Sequence, residues 1–194
     1  MSAPDETRPK NDIIGRSEKQ THMKVPVLAL ILVLGGVAAW GGQSAHDGKL
    51  QAQLKQLFPD AATFSPKGGN PPHFKAFTGA QALAGFAFWT TELEPLERGY
   101  DGPIKMLVGL DTKGVLTGVV VVEHHEPYGN FSVEPPEFAA QFKGKSIRDQ
   151  FKVGVDVDAV SRATISVTSA TRAIRNSARR IARQLLTPPP EPRK

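Results

Sequence analysis

One stretch of this 194-residue chain constrains its fold more than any other: residues 25–42 contain no charged side chain. Its 18 residues are at the lower end of the length needed to cross the hydrocarbon core of a bilayer. The stretch is apolar all round, whereas a helix packed on a globular core keeps one polar face. Pro26 suits a first helical turn, and Trp40 is placed as an interfacial anchor would be. The sequence therefore predicts one transmembrane helix over residues 25–42.

A cleaved signal peptide is the alternative interpretation of this stretch. Residues 1–24 are long for the charged part of a signal peptide, and no clear Ala-x-Ala cleavage site follows the apolar residues. Only Lys49 and Lys55 closely follow the stretch, while five basic residues precede it: Arg8, Lys10, Arg16, Lys19 and Lys24. The positive-inside rule then places the N-terminus in the cytoplasm. We expect a single-pass protein of the inner membrane with a periplasmic C-terminal domain, and no nucleic-acid partner.

Composition excludes some chemistry and leaves one charge cluster to explain. The chain has no cysteine, so disulfides, thiolate metal sites and cysteine nucleophiles are excluded. Residues 159–186 contain six arginines and no acidic residue: Arg162, Arg172, Arg175, Arg179, Arg180 and Arg183. Such a cluster favours an anionic partner, either a lipid surface or an acidic redox protein. A simply solvated helix face is the alternative.

Periodicity after residue 42 predicts a mixed fold. Leucines spaced as on one helix face predict a short amphipathic helix that ends at Pro59. Residues 104–110 and 115–122 are rich in β-forming side chains and flank an Asp-Thr-Lys-Gly turn, which predicts an antiparallel hairpin. An apolar stripe at helical spacing predicts a last helix over roughly residues 166–186. We expect an α+β fold, an antiparallel sheet with a C-terminal helix, preceded by the transmembrane helix.

The predicted organisation follows from these elements. It comprises a disordered cytoplasmic tail over 1–24, the anchor over 25–42, an amphipathic helix and Pro/Gly-rich linker over 43–78, a folded domain over 79–186, and a Pro-rich tail over 187–194.

Several short segments between residues 99 and 164 occur in an informative order. They are GYDGPI at 99–104, VGLD at 108–111, HEPYG at 125–129, FAAQFKGK at 138–145 and DAVSRAT at 158–164. In this order they resemble the FMN-binding domain family, whose flavinylation motif reads Asp-x-x-Ser-Gly-Ala-Thr. The family includes the RnfG and NqrC subunits of membrane electron-transport complexes. It also includes the flavin domain of NosR-type proteins, which residues 123–127 resemble more closely.

The resemblance implies a cofactor and its attachment point. In that family the last Thr of the motif carries FMN through a phosphoester bond, which here is Thr164. The resemblance also places Asp158, Ser161, Ala163, His125 and Glu126 near the flavin. Arg162 and Ser166 are expected there by their own chemistry, as a charge and a short hydrogen-bonding side chain at the helix start. For His125 and Glu126, ordinary polarity at a strand end is an open alternative. The sequence departs from the family pattern at Arg162, where the family has Gly, and at residues 127–129, which are shorter than Thr-Pro-Gly-Leu-Gly.

The residues at the motif also have chemistry of their own. By its pattern Thr164 begins the last helix, where free backbone N–H groups and the helix dipole favour a phosphoryl group. Arg162 could add charge-assisted hydrogen bonds to phosphate oxygens. A run of Ser and Thr that only caps the helix is the alternative. A threonine hydroxyl is a poor nucleophile, so we expect a separate, metal-dependent flavin transferase to make the bond.

Together these features predict a membrane-anchored, periplasmic electron-transfer protein. It would relay electrons through covalent FMN to redox partner proteins of a membrane electron-transport complex. The alternative is a flavin-free, membrane-anchored assembly or regulatory subunit of a respiratory complex, as the NosR-like segment and Arg162 suggest.

Overall fold

The computed structural model describes residues 41–186. The predicted tails lie outside these residues, as does all but the end of the predicted transmembrane helix. Within residues 41–186 we find no helix with the length and apolar character to span a bilayer. The first described helix, α1, covers Gly41–Leu57 and so includes the last two residues of the predicted membrane segment.

The centre of the domain is one antiparallel sheet whose five strands neighbour each other in chain order. The strands are β1 Thr63–Phe64, β2 Phe74–Phe77, β3 Leu83–Trp89, β4 Lys105–Asp111 and β5 Leu116–Glu123. The remaining helices are α2 Thr90–Leu93, α3 Gly129–Ser132, α4 Pro136–Ala140 and α5 Thr164–Ile181, which continues as a π-helical turn over Ala182–Leu186. The predicted α+β fold, with an antiparallel sheet and a C-terminal helix, is confirmed.

The predicted hairpin is β4 and β5, and its turn is closed by one side chain. The Oδ1 atom of Asp111 accepts hydrogen bonds from the amides of Lys113 and Val115, each at 2.8 Å. Gly114 has a φ of 80°, a left-handed conformation that favours glycine. The Asp…Gly spacing therefore specified this turn correctly from the sequence.

Both faces of the sheet are covered, and residues 106–110 of β4 are accordingly buried and without polar side chains. On one face α1 places Leu54 and Leu57 against Leu107 of β4. On the other face α5 packs Ile174 in the same core as Met106, the residue next to Leu107. Successive side chains of a strand point to opposite faces, so β4 supplies both cores.

Three arginines of α5 bind neighbouring segments, two loops and the end of α2, instead of lying on a simply solvated face. Arg172 makes an ion pair with Glu97, at 2.8 Å. Arg179 donates to the carbonyl oxygens of Ile147 and Asp149, at 2.9 and 2.8 Å. A further contact runs from Arg180 to the carbonyl oxygen of Leu93, at 2.7 Å. These bonds fix α5 against α2 and the loops around it.

Strands β1 and β2 were not expected from the sequence. They precede the boundary predicted between residues 78 and 79, and β2 pairs with β3 across it. The folded sheet therefore extends into the predicted linker.

Candidate functional site

The start of α5 borders a cavity of about 310 Å³. Its walls come from two loops and the helix start, namely Tyr100, Pro127, Tyr128 and residues 162–166. Thr164 is the first residue of α5 and is exposed. Two residues later Ser166 is 3% exposed. Residues two apart on a helix lie about 200° apart around its axis, so the inward Ser166 leaves Thr164 facing outward.

The backbone before Thr164 turns sharply at Arg162. Its φ is 67°, a left-handed conformation in which a side chain is strained and glycine is not. Arg162 is also exposed. Ala163 is 3% exposed and precedes the helix with a φ of −126°. The left-handed backbone conformation at position 162 therefore favours Gly, although the sequence has Arg there.

The first turn of α5 keeps amide donors available. The amide of Val167 makes a helical hydrogen bond to the carbonyl of Ala163, at 3.0 Å. The amides of Thr164, Ile165 and Ser166 precede it, and no side chain caps the helix start. The turn also contains no acidic residue. Such a terminus attracts an anion through its free N–H groups and the helix dipole.

Glu126 is a buried carboxylate beside this turn, with 6% of its surface exposed. Its Oε2 accepts from the amide of Tyr100, at 2.9 Å, and from the hydroxyl of Ser166. Its Oε1 accepts from the amide of Asp101, at 3.1 Å. One side chain thus joins the 99–101 loop, its own loop and α5.

Burial alone would raise the pKa of the Glu126 carboxyl. The hydrogen bonds from Ser166, Tyr100 and Asp101, with the electrostatic effect of His124, outweigh burial and hold this pKa below its ordinary value. The carboxylate is therefore charged at neutral pH.

The two histidines have different environments. The Nδ1 atom of His124 accepts from the amide of Glu126, at 3.2 Å, and its Nε2 lies 3.0 Å from Oε1 of Glu134. His125 is exposed and is not among the residues that line the cavity. Because β5 ends at Glu123, the three residues 124–126 do not continue the strand.

The motif residues farther from the cavity are held by a second loop. Asp158 and Ser161 are exposed and do not line the cavity. The amide of Asp158 donates to Oε1 of Gln141, at 2.7 Å. Just before them, Asp156 accepts from the amides of Phe151 and Lys152. Of the residues that the sequence singled out, the structure brings Arg162, Ala163, Thr164 and Ser166 to the cavity and Glu126 against Ser166.

Sequence reasoning missed the aromatic side chains of the site. Tyr100 is 70% exposed and Tyr128 is 45% exposed, and both line the cavity. Tyr128 also packs on Phe131, with ring centroids 5.3 Å apart. Tyr100 lies in the GYDGPI segment, and the signal that could have singled it out was the placement of an aromatic residue in a Gly-rich loop.

Comparison with known proteins agrees with this geometry. Residues 99–179, which include the cavity and its supporting loops, match the FMN-binding domain family. The similarity to this family lies in that segment of the chain. The resemblance inferred from its sequence motifs is thereby confirmed.

Two relatives show how far the similarity extends. Regulatory protein NosR of Pseudomonas aeruginosa is 28% identical over 166 residues, which cover 80% of this chain and 23% of that protein. The RnfG protein of the ion-translocating oxidoreductase complex of Vibrio vulnificus is 30% identical over 145 residues, 70% of this chain and 65% of that protein. The chain therefore spans less than two thirds of the length of either relative. The crystal structure of Shewanella oneidensis NqrC has 23% sequence identity and a TM-score of 0.40, over 61% of this chain and 66% of that one.

The residues of the matching segment fit the parts of FMN. A phosphate fits the uncapped first turn of α5, because Thr164 and Ile165 offer free N–H groups and Arg162 offers a basic side chain. The planar ring system of FMN matches a cavity bordered by the aromatic rings of Tyr100 and Tyr128. FMN, when bound, supplies one-electron and two-electron redox chemistry, and the protein supplies its position and electrostatic surroundings.

Proposed function

We propose that this domain carries FMN in a phosphoester bond to Thr164 and relays electrons in a membrane redox chain. The observation that supports this most is the placement of Thr164. Its side chain is exposed on the first turn of α5, at a cavity with two exposed tyrosines, inside the segment that matches the FMN-binding domain family.

Each neighbouring residue has a stated part in this proposal. The amides of the first turn and the guanidinium of Arg162 bind the phosphate oxygens. Ala163 is small and buried, which lets the chain enter the helix close to the core. Ser161 adds an exposed hydroxyl before the turn, and the backbone amide of Asp158 orders the loop by donating to Gln141.

Attachment requires a second protein. Within residues 41–186 no base is hydrogen-bonded to the Thr164 hydroxyl, and a hydroxyl is a poor nucleophile. A metal-dependent flavin transferase would activate it. The Thr164 oxygen would form a new P–O bond to the flavin-side phosphorus of a flavin dinucleotide. The pyrophosphate P–O bond to that phosphorus would break, the second nucleotide would leave as a monophosphate with the bridging oxygen, and the hydroxyl proton would pass to a base of the transferase.

The proposed location follows from the sequence pattern before α1. A transmembrane helix over residues 25–42 with a cytoplasmic N-terminus would place the FMN-binding domain in the periplasm. Relatives that belong to ion-translocating oxidoreductase complexes support redox partner proteins at the membrane. His125 is exposed near the cavity loop and is proposed to face such a partner or the flavin.

A flavin-free regulatory or assembly subunit is the second candidate. Two observations favour it. Arg162 stands in a left-handed backbone conformation where the family has Gly, and the chain is similar to regulatory protein NosR. In that case the fold would serve as an anchored interaction domain without redox chemistry.

Co-expression with a flavin transferase distinguishes the two. We expect the intact mass of the wild-type chain to increase by one flavin mononucleotide, less one water, and its denatured gel band to fluoresce. Thr164→Ala should lose both signals, while Thr168→Ala, one turn further along the same helix, should retain them. A dark wild-type band supports the regulatory subunit, and a flavin released by denaturation contradicts the phosphoester.

The absence of native cysteine allows a direct test of topology. We expect Gln150→Cys, at an exposed loop position, to react with a membrane-impermeant maleimide in intact spheroplasts. Ser2→Cys should react only after the membrane is permeabilised. The reverse pattern would contradict a periplasmic domain.

A further inference from the structure

We propose that Glu126 is a positioning residue: its carboxylate fixes the rotation and location of the first turn of α5 and thereby aims the Thr164 hydroxyl outward. This inference rests on the proposed function. It gives Glu126 a role toward the protein backbone and Ser166, and not toward the flavin itself.

The contacts of Glu126 connect two loops to the start of α5. It accepts hydrogen bonds from Ser166 of α5 and from the amides of Tyr100 and Asp101. These donors are 40, 26 and 25 residues away along the chain. The carboxylate is the one group among the described residues to which all three donate, so it fixes the two loops and the helix start to each other.

The geometry of α5 links the position of Ser166 to the direction of the Thr164 side chain. Ser166 is 3% exposed and faces Glu126, whereas Thr164 is exposed. Because the helix start lacks a side-chain cap, no N-cap bond sets its first turn. The bond from Ser166 to Glu126 takes over that function, and the direction of the Thr164 side chain follows from it.

Gly99 supplies independent support for the position of the carboxylate. A Cβ atom built on Gly99 would lie 2.6 Å from Cδ of Glu126. The backbone at residue 99 therefore approaches the carboxylate more closely than any residue with a side chain permits. A loop shaped around one carboxylate in this way indicates that the carboxylate is a fixed part of the site.

The charge of Glu126 makes this attachment strong. Hydrogen bonds to an ionised acceptor are shorter and stronger than neutral ones, and a buried donor left without its acceptor is costly. Glutamine in its place has one acceptor atom for three donors, and it brings two N–H groups of its own into the same space. Glu126→Gln therefore tests the interaction with little change in volume.

Hydrogen exchange on the full-length, flavin-free chain in detergent is the first test. We expect Glu126→Gln and Ser166→Ala each to speed the exchange of the first hydrogen-bonded amides of α5, those of Val167 and Thr168, about tenfold, while amides of β4 keep their wild-type rates. The double variant should be no faster than Glu126→Gln. Glu134→Gln is the matched control, since it removes a nearby carboxylate that bonds His124 and not α5.

Flavin loading is the second test, with the transferase limiting. We expect a severalfold lower initial rate of mass increase in Glu126→Gln and Ser166→Ala, and a wild-type rate in Glu134→Gln. Wild-type loading rates in both variants, or faster exchange spread over the whole sheet, would overturn the positioning role. If the wild-type chain takes up no flavin, the proposed function fails, and the exchange measurement still decides whether Glu126 fixes the start of α5.

Discussion

The amide of Asp158 donates a hydrogen bond to Oε1 of Gln141, at 2.7 Å, and so ties the first residue of the flavinylation-like segment to the end of α4. Thr164 lies six residues later, at the start of α5. The segment is therefore held at both ends, by Gln141 at Asp158 and by Glu126 at Ser166. Its middle, around Arg162, is exposed.

The bond at Gln141 gives the first prediction. Gln141→Ala leaves the Asp158 amide without this acceptor, and we expect the free energy of unfolding to fall by about 1 kcal/mol. Gln141→Glu keeps an acceptor oxygen and should retain most of the stability. The measurement is denaturant unfolding of the purified chain, with the exposed Gln150→Ala as control. Equal stabilities for the Gln141→Ala and Gln150→Ala variants would contradict a structural role for this bond.

Arg162 gives the second prediction, because its backbone and its charge can be separated. Both Arg162→Gly and Arg162→Ala remove the charge, but only Gly relieves the left-handed φ of 67°. We expect the Gly variant to exceed the Ala variant by about 1 kcal/mol in free energy of unfolding.

The rate of flavin loading then reports the charge of Arg162. If its guanidinium binds the phosphate, the Gly and Ala variants should both load more slowly than wild type, with intact mass against time as the measurement. Faster loading of the Gly variant would mean that Arg162 hinders the transferase, as the flavin-free alternative requires.

Gly99 gives the third prediction. Gly99→Ala places a methyl group against the Glu126 carboxylate, and we expect a loss of about 1–3 kcal/mol in stability from overpacking. Gly79→Ala is the matched control, because a Cβ there has no heavy atom within 4 Å. Thermal unfolding of the two variants under one buffer condition compares them. A Gly99→Ala midpoint equal to that of Gly79→Ala would show that the loop can shift at little cost.

The sequence predicted the elements that local pattern determines. The Asp111…Gly114 turn and the apolar stripe of α5 are signals within a short window, and both elements are where they were expected. β1 and β2 are two and four residues long, too short for alternation to stand out, although Phe74 and Ala76 of β2 do point into the core. Short strands gain their stability from neighbours in the sheet, which a single sequence does not display.

Only part of the site was predictable, because a local pattern reveals neighbours in sequence and not contacts between distant residues. Thr164 follows from the motif and the helix pattern. The link from Glu126 to Ser166 joins residues 40 positions apart, and nothing in either local segment specifies it. The pairing of Arg172 with Glu97 was equally hidden, since charge patterns alone do not reveal a partner 75 residues away.

The pH dependence of stability gives the last prediction. The folded-state pKa values of Glu126 and Asp156 lie below their ordinary values of 4.5 and 3.8. For Glu126 burial opposes this shift and the donors of Ser166, Tyr100 and Asp101 outweigh it; for Asp156 burial is likewise outweighed, by the amides of Lys152 and Phe151 and by Lys145.

In the acid range the unfolded chain therefore binds more protons at these two groups than the folded chain does. The stability that they contribute is complete above about pH 4.5 and is lost as pH falls through the folded-state values. We expect the free energy of unfolding of wild type to decrease as pH is lowered from 6 toward 3. Glu126→Gln and Asp156→Asn should each be less stable at pH 6 and show a shallower slope. A slope unchanged in Glu126→Gln would mean that its carboxyl has the same proton affinity folded and unfolded, and that the three donors do not stabilise its charge.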